Sequence, residues 1–89
     1  MTRAWEPDPA ASFARRLGKS AAELGNSQSD DDCPDIWQLD NGDIAVIGRD
    51  LTSRYARQLP DGVRLGEGER LVVIPGNMLS AAKPDIPDA

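Results

Sequence analysis

The chain has 89 residues, 39% hydrophobic and 28% charged, with a formal net charge of −5. That length suits one small domain, and the longest apolar run, Leu71-Val72-Val73-Ile74, is far too short to cross a membrane as a helix. With no histidine and one cysteine, Cys33, the sequence excludes histidine-based triads, histidine metal ligands, an internal disulfide and a cysteine zinc cluster.

Apolar residues are unevenly spread. Residues 1–34 contain three of the Val, Ile, Leu and Phe type (Phe13, Leu17, Leu24), whereas residues 35–89 contain fifteen. A segment below ~20% in these types rarely buries enough surface to offset its ordering entropy. The expectation is a mobile N-terminal arm over 1–34, a folded domain over 35–84 and a frayed tail over 85–89. Trp5-Glu6-Pro7-Asp8-Pro9 interrupts any secretory apolar region, so the expected compartment is the cytoplasm.

Within the arm, residues 10–24 predict one helix. Pro9 precedes it, Gly25 follows it, and Phe13, Leu17, Ala21 and Leu24 form an apolar stripe at i, i+4, i+8 and i+11. Residues 25–48 then carry six aspartates and no base, the densest being Asp30-Asp31-Asp32. These with Asp35 could gather a hard cation, but they lack the ligand spacing of a known calcium loop and read as a solvated acidic linker.

The strongest local signal is Ile36–Ile47, two apolar runs around Asn41-Gly42. A two-residue turn there pairs Leu39 with Ile44, Gln38 with Ala45, Trp37 with Val46 and Ile36 with Ile47. Trp37, Leu39, Ile44 and Val46 would then share one face, and Asp40 would oppose Asp43. Next come a helix over about 51–59, a glycine-rich loop, a strand over 70–74 and a helix over about 77–83 that ends at Pro84. A helical crossover between the second and third strands predicts an α+β fold with a small three-stranded mixed sheet. The non-alternating strand 70–74 predicts a sheet apolar on both faces. One face must therefore meet the arm, a second copy of the chain or another protein.

Trp37 is then either a core anchor or, on the uncovered face, an interface anchor. Phe13 and Leu17 of the arm are candidate contacts of the same kind. Arg49, Arg54 and Arg57 surround the middle helix; Arg54 and Arg57 at i, i+3 could grip an acidic partner or a phosphate. The acidic balance argues against nucleic acid, and Arg15, Arg16 and Lys19 are too few to read as a membrane-surface stripe. Gly62–Gly68 lacks the lysine-serine end of a phosphate loop, and Cys33 in acidic surroundings is a poor nucleophile. No catalytic, cofactor or metal site assembles from these residues.

The stretch from Ile36 to Thr52, with Leu39-Asp40-Asn41-Gly42-Asp43-Ile44-Ala45-Val46-Ile47-Gly48 at its centre, resembles a small uncharacterised bacterial, mainly actinobacterial, family. That family has an E-L-D-D-G-D-F-A-V-I-G-x-D-x-T core followed by a G-x-x-E-R-I-V-V-I-P strand, matched here by Gly66–Pro75. The likeness covers about residues 33–84. It assigns no catalytic or binding residue. Members often lie beside helix-turn-helix regulators, which implies a regulatory interaction. The combined expectation is a non-enzymatic protein-binding module, an accessory to a DNA-binding regulator. The alternatives are a homodimer that binds a small ligand and, less favoured, a direct nucleic-acid binder.

Overall fold

The computed structural model describes residues 5–28 and 33–87. Its strands are β1 (Phe13–Arg16), β2 (Asp35–Leu39), β3 (Ile44–Ile47), β4 (Arg49–Asp50) and β5 (Val72–Val73). Its helices are α1 (Thr52–Tyr55) and α2 (Gly76–Ala82), and a 3-10 turn follows at Lys83–Asp85. The fold is α+β with a three-stranded sheet in the order β1-β2-β3, and β4 and β5 form a separate two-stranded ribbon.

Asn41-Gly42 does turn the hairpin, but with a three-residue loop. Gly42 N–H donates to the Leu39 carbonyl at 3.0 Å and Leu39 N–H donates to the Asp43 carbonyl at 2.8 Å. Gly42 takes φ +93°, which supplies the left-handed residue that such a loop needs. The Asn41 side chain accepts the Asp43 N–H at 3.0 Å. The extra loop residue slips the register by one: Ile36 pairs with Val46, Trp37 with Ala45 and Gln38 with Ile44. A slip of one turns every β3 side chain to the other face relative to β2. Ile36, Gln38, Ile44 and Val46 therefore share one face, and Asp35, Trp37, Leu39, Ala45 and Ile47 the other. Asp40 lies in the loop and does not oppose Asp43.

The third strand of the sheet is β1, and the sheet is antiparallel rather than mixed. Phe13 pairs with Leu39, Arg15 with Gln38 and Arg16 with Trp37, with a bulge between Phe13 and Arg15. The bulge allows Phe13 and Arg16, three residues apart, to lie on the same face. The strand expected at 70–74 shortens to β5 and pairs antiparallel with β4: Arg49 with Val73 and Asp50 with Val72.

Segment 10–24 is thus no helix, because Gly18 ends β1 at φ +78°. A Cβ on Gly18 would lie 2.8 Å from the backbone of Ala81 and Ala82, so α2 approaches closer than any other residue permits. Only one helical turn survives, over Ala21–Leu24. Ser20 and Glu23 cap its start reciprocally: the Ser20 hydroxyl accepts the Glu23 N–H, and the Glu23 carboxylate accepts the Ser20 N–H, both at 3.2 Å. Its end is a Schellman pair, Asn26 N–H to the Ala21 carbonyl and Gly25 N–H to the Ala22 carbonyl. The expected stripe splits accordingly. Leu17 and Ala21 are buried, whereas Phe13 is exposed on the opposite face of the sheet.

Leu17, Ile36, Met78 and Ala82 form the core, with Leu24 and Ile74 packed against it. Met78 and Ala82, one turn apart, are the face that α2 presents. Residues before Asp35, read from composition as an arm ahead of the domain, therefore supply an edge strand and part of the core. Asp85, read as tail, accepts the Gly18 N–H through its carboxylate at 2.8 Å and the Arg15 guanidinium through its carbonyl at 2.6 Å. The acidic stretch Asp30-Asp31-Asp32 lies outside the described residues.

Gly18 and Gly25 share φ +78°, but a Cβ on Gly25 would meet nothing within 4 Å. Gly25→Ala is expected to cost ~1 kcal/mol from backbone conformation alone. Gly18→Ala is expected to cost a further ~1–3 kcal/mol from overpacking against α2. Urea midpoints of the two variants measure the difference.

Candidate protein-binding face

The register turns one face of the sheet toward α2 and leaves Phe13, Trp37, Leu39, Ala45 and Ile47 on the other. Phe13 is 57% exposed and Ile47 42% exposed, while Trp37 is half-buried between them and the strand beneath. The Phe13 and Trp37 rings lie 5.7 Å apart, tilted by 43°, within the range of a favourable aromatic pair.

The Trp37 ring is held from beneath and beside. The Arg16 guanidinium carbon sits 5.0 Å from its centroid, a cation-π contact. Arg16 Nε and Nη2 donate to Asp35 Oδ1 and Oδ2, both at 2.9 Å, the two-pronged geometry that guanidinium and carboxylate favour. Asp35 is only 7% exposed. Burial pushes its carboxyl up, but the Arg16 hydrogen bonds, the nearby Trp37 indole, the Arg16 charge and the Ile36 N–H outweigh burial and hold it below the ordinary carboxylate range. The same hydrogen bond to Asp35 raises the Arg16 guanidinium.

Of the residues singled out in the sequence, Trp37 and Phe13 come together on this face. Leu17 does not: it is buried in the core under α2 and offers nothing to a partner. The arginines fall on separate elements. Arg49 is exposed on β4, where it lines an open groove of about 670 Å³ with Cys33, Pro34, Gly48, Val73 and Pro75. Arg54 is on α1, 5.3 Å from the Tyr55 ring. Arg57 lies past the end of α1, because the helix expected over 51–59 stops at Tyr55. Arg54 and Arg57 therefore do not share a helix face. No group of three His, Cys, Asp or Glu side chains that could hold a metal occurs among the described residues.

Sequence reasoning missed the Arg16–Asp35 clamp. The pair is 19 residues apart and exists only when β1 lies beside β2, which a helix over 10–24 forbids. Gly18 in the middle of that apolar stripe was the available signal, since an interior glycine weakens a helix.

Comparison with protein-family models, curated proteins and solved structures finds no match for this chain.

The depressed Asp35 carboxyl fixes the sign of one pH effect. A group whose acidity is increased by folding stabilises the fold above its unfolded pKa, about 3.9 for aspartate, and loses that contribution as pH falls through the lower folded value. Asp35→Asn is expected to lower stability by ~1–3 kcal/mol at pH 7. The gap between variant and wild type should close as pH falls below about 4. Denaturant midpoints across pH 2.5–7, in roughly half-unit steps, measure both effects.

Proposed function

We propose that this chain is a small cytoplasmic protein-binding module that docks its partner on the sheet face carrying Phe13, Trp37 and Ile47. The observation that carries this reading is an aromatic pair, Phe13 exposed and Trp37 half-buried, fixed in advance by a part-buried ion pair. Trp and Arg dominate the energetics of protein interfaces. A side chain already held in one rotamer loses less entropy on binding. The Arg16–Asp35 clamp supplies that order for Trp37.

The surrounding chemistry supports a protein partner over other classes. A net charge of −5 repels phosphate backbones and attracts basic proteins. Catalysis has little to work with, since the sequence has no histidine and the aromatic face holds no nucleophile beside a base. The resemblance of residues 33–84 to a family that neighbours helix-turn-helix regulators favours an accessory or regulatory partnership with a DNA-binding regulator.

The test is retention of a partner from native cell extract by the tagged chain, read by mass spectrometry. Phe13→Ser removes exposed apolar area from the proposed face, and Leu79→Ser removes it from α2, where Leu79 is also exposed. One dominant partner should be retained by wild type and Leu79→Ser, with affinity for Phe13→Ser weakened about tenfold or more. A partner carrying a DNA-binding domain would support the regulatory reading. Loss only with Leu79→Ser, or no partner above background, would overturn the proposal.

A further inference from the structure

The two edges of the sheet are built differently. β1 carries a bulge and two arginines, devices that keep an edge from pairing with another chain. β3 is Ile44-Ala45-Val46-Ile47, with no charge, no proline and no bulge. Ile44, Val46 and Ile47 are 48%, 42% and 42% exposed.

The hydrogen-bond pattern shows how far this open edge runs. Leu39 N–H donates to the Asp43 carbonyl, and Leu51 N–H donates to the Leu71 carbonyl. Odd-numbered residues of the segment 43–51 thus turn their backbone groups toward β2 and then toward β5. By the alternation of an antiparallel ladder, Ile44 and Val46 turn theirs outward.

We infer that β3 pairs with β3 of a second copy, antiparallel and centred on Val46. Residues opposed in an antiparallel ladder share one hydrogen-bonding status, so outward-facing residues must oppose outward-facing residues. A symmetric register centred on any residue of β3, from Ile44 to Ile47, satisfies this. The Ile44 centre sets Asp43 against Ala45, the Ala45 centre sets Asp43 against Ile47, and the Ile47 centre sets Arg49 against Ala45. Only the register centred on Val46 sets Asp43 against Arg49 of the second copy, and by symmetry does so twice. Among the described residues, neither Asp43 nor Arg49 makes an ion pair within its own chain. Opposite charges facing each other across a ladder stabilise it, and like charges destabilise it. The charge pattern of one strand therefore complements itself about a two-fold axis. The product is a six-stranded sheet with both α2 helices on one side and both Phe13–Trp37 pairs on the other. This inference stands apart from the partner reading: the dimer uses an edge, the partner a face.

Sedimentation of the full chain from micromolar to sub-millimolar concentration tests it. The mass should rise from that of the 9.6 kDa chain to twice that value. Asp43→Arg sets Arg against Arg49, and Arg49→Asp sets Asp against Asp43. Each single variant should raise the dimer dissociation constant about tenfold, and the combined swap should restore it. Phe13→Ser, on the far strand, should leave the dimer unchanged and so separates failure here from failure of partner binding. Hydrogen exchange on the wild-type chain needs no variant: Ile44 and Val46 amides should gain protection as concentration rises. A constant single-chain mass would overturn the inference. So would a dimer in which those two amides stay unprotected, or one that the charge swaps leave unmoved.

Discussion

Arg16 meets Asp35 across two strands through parallel hydrogen bonds of 2.9 Å, and the placement of β1 turns on that contact. With Arg16 clamped, Phe13 falls over Trp37 on one face and Leu17 falls beside Ile36 on the other, where the Leu17 N–H donates to the Ile36 carbonyl. A chain with so few large apolar residues before Asp35 gains little from burial there. A charge-assisted pair with both oxygens satisfied adds orientation that hydrophobic contact alone does not specify. Removing Arg16 leaves the buried Asp35 carboxylate without compensation, so the pair holds β1 more firmly than its net contribution to stability suggests.

The hairpin was legible because Asn41-Gly42 and its flanking apolar runs are local. Its register was not, because a two-residue and a three-residue loop can be built on the same Asp40-Asn41-Gly42-Asp43, and the choice inverts β3. The strand β1 was misread because its apolar residues satisfy a helical stripe and a bulged strand equally well. Phe13 and Leu17 sit four apart in either description, yet the bulge sends them to opposite faces. Of the candidate site, Trp37 and Phe13 could be named from residue type, whereas Arg16 and Asp35 could not, since their pairing belongs to the tertiary arrangement. Arg57 falls outside the helix because α1 ends early, a stop for which the sequence carries no strong signal before Pro60.

Two features of the sheet belong together. α2 is short, and through Met78 and Ala82 it covers the region of Leu17 and Ile36, leaving much of both faces near β3 in contact with water. In a domain this small, apolar surface left outside the core is a large share of the total. Association is the usual physical outcome for such surface. The acidic charge then governs what associates: it discourages indiscriminate clustering and disfavours polyanions.

Gly18 and Asp85 are joined by a hydrogen bond that spans 67 residues, and Leu17 is sealed by Met78 and Ala82 of the same distant segment. On the ribosome this makes the core wait. The hairpin of β2 and β3 can form from nearby residues as it emerges, but the covering of Leu17 and Ile36 cannot close until Met78 and Ala82 have been made. Contacts of such long sequence separation slow folding and make it cooperative. A nascent chain halted in the glycine-rich loop would present the hairpin's apolar faces uncovered, a form that chaperones and proteases can tell from the finished domain.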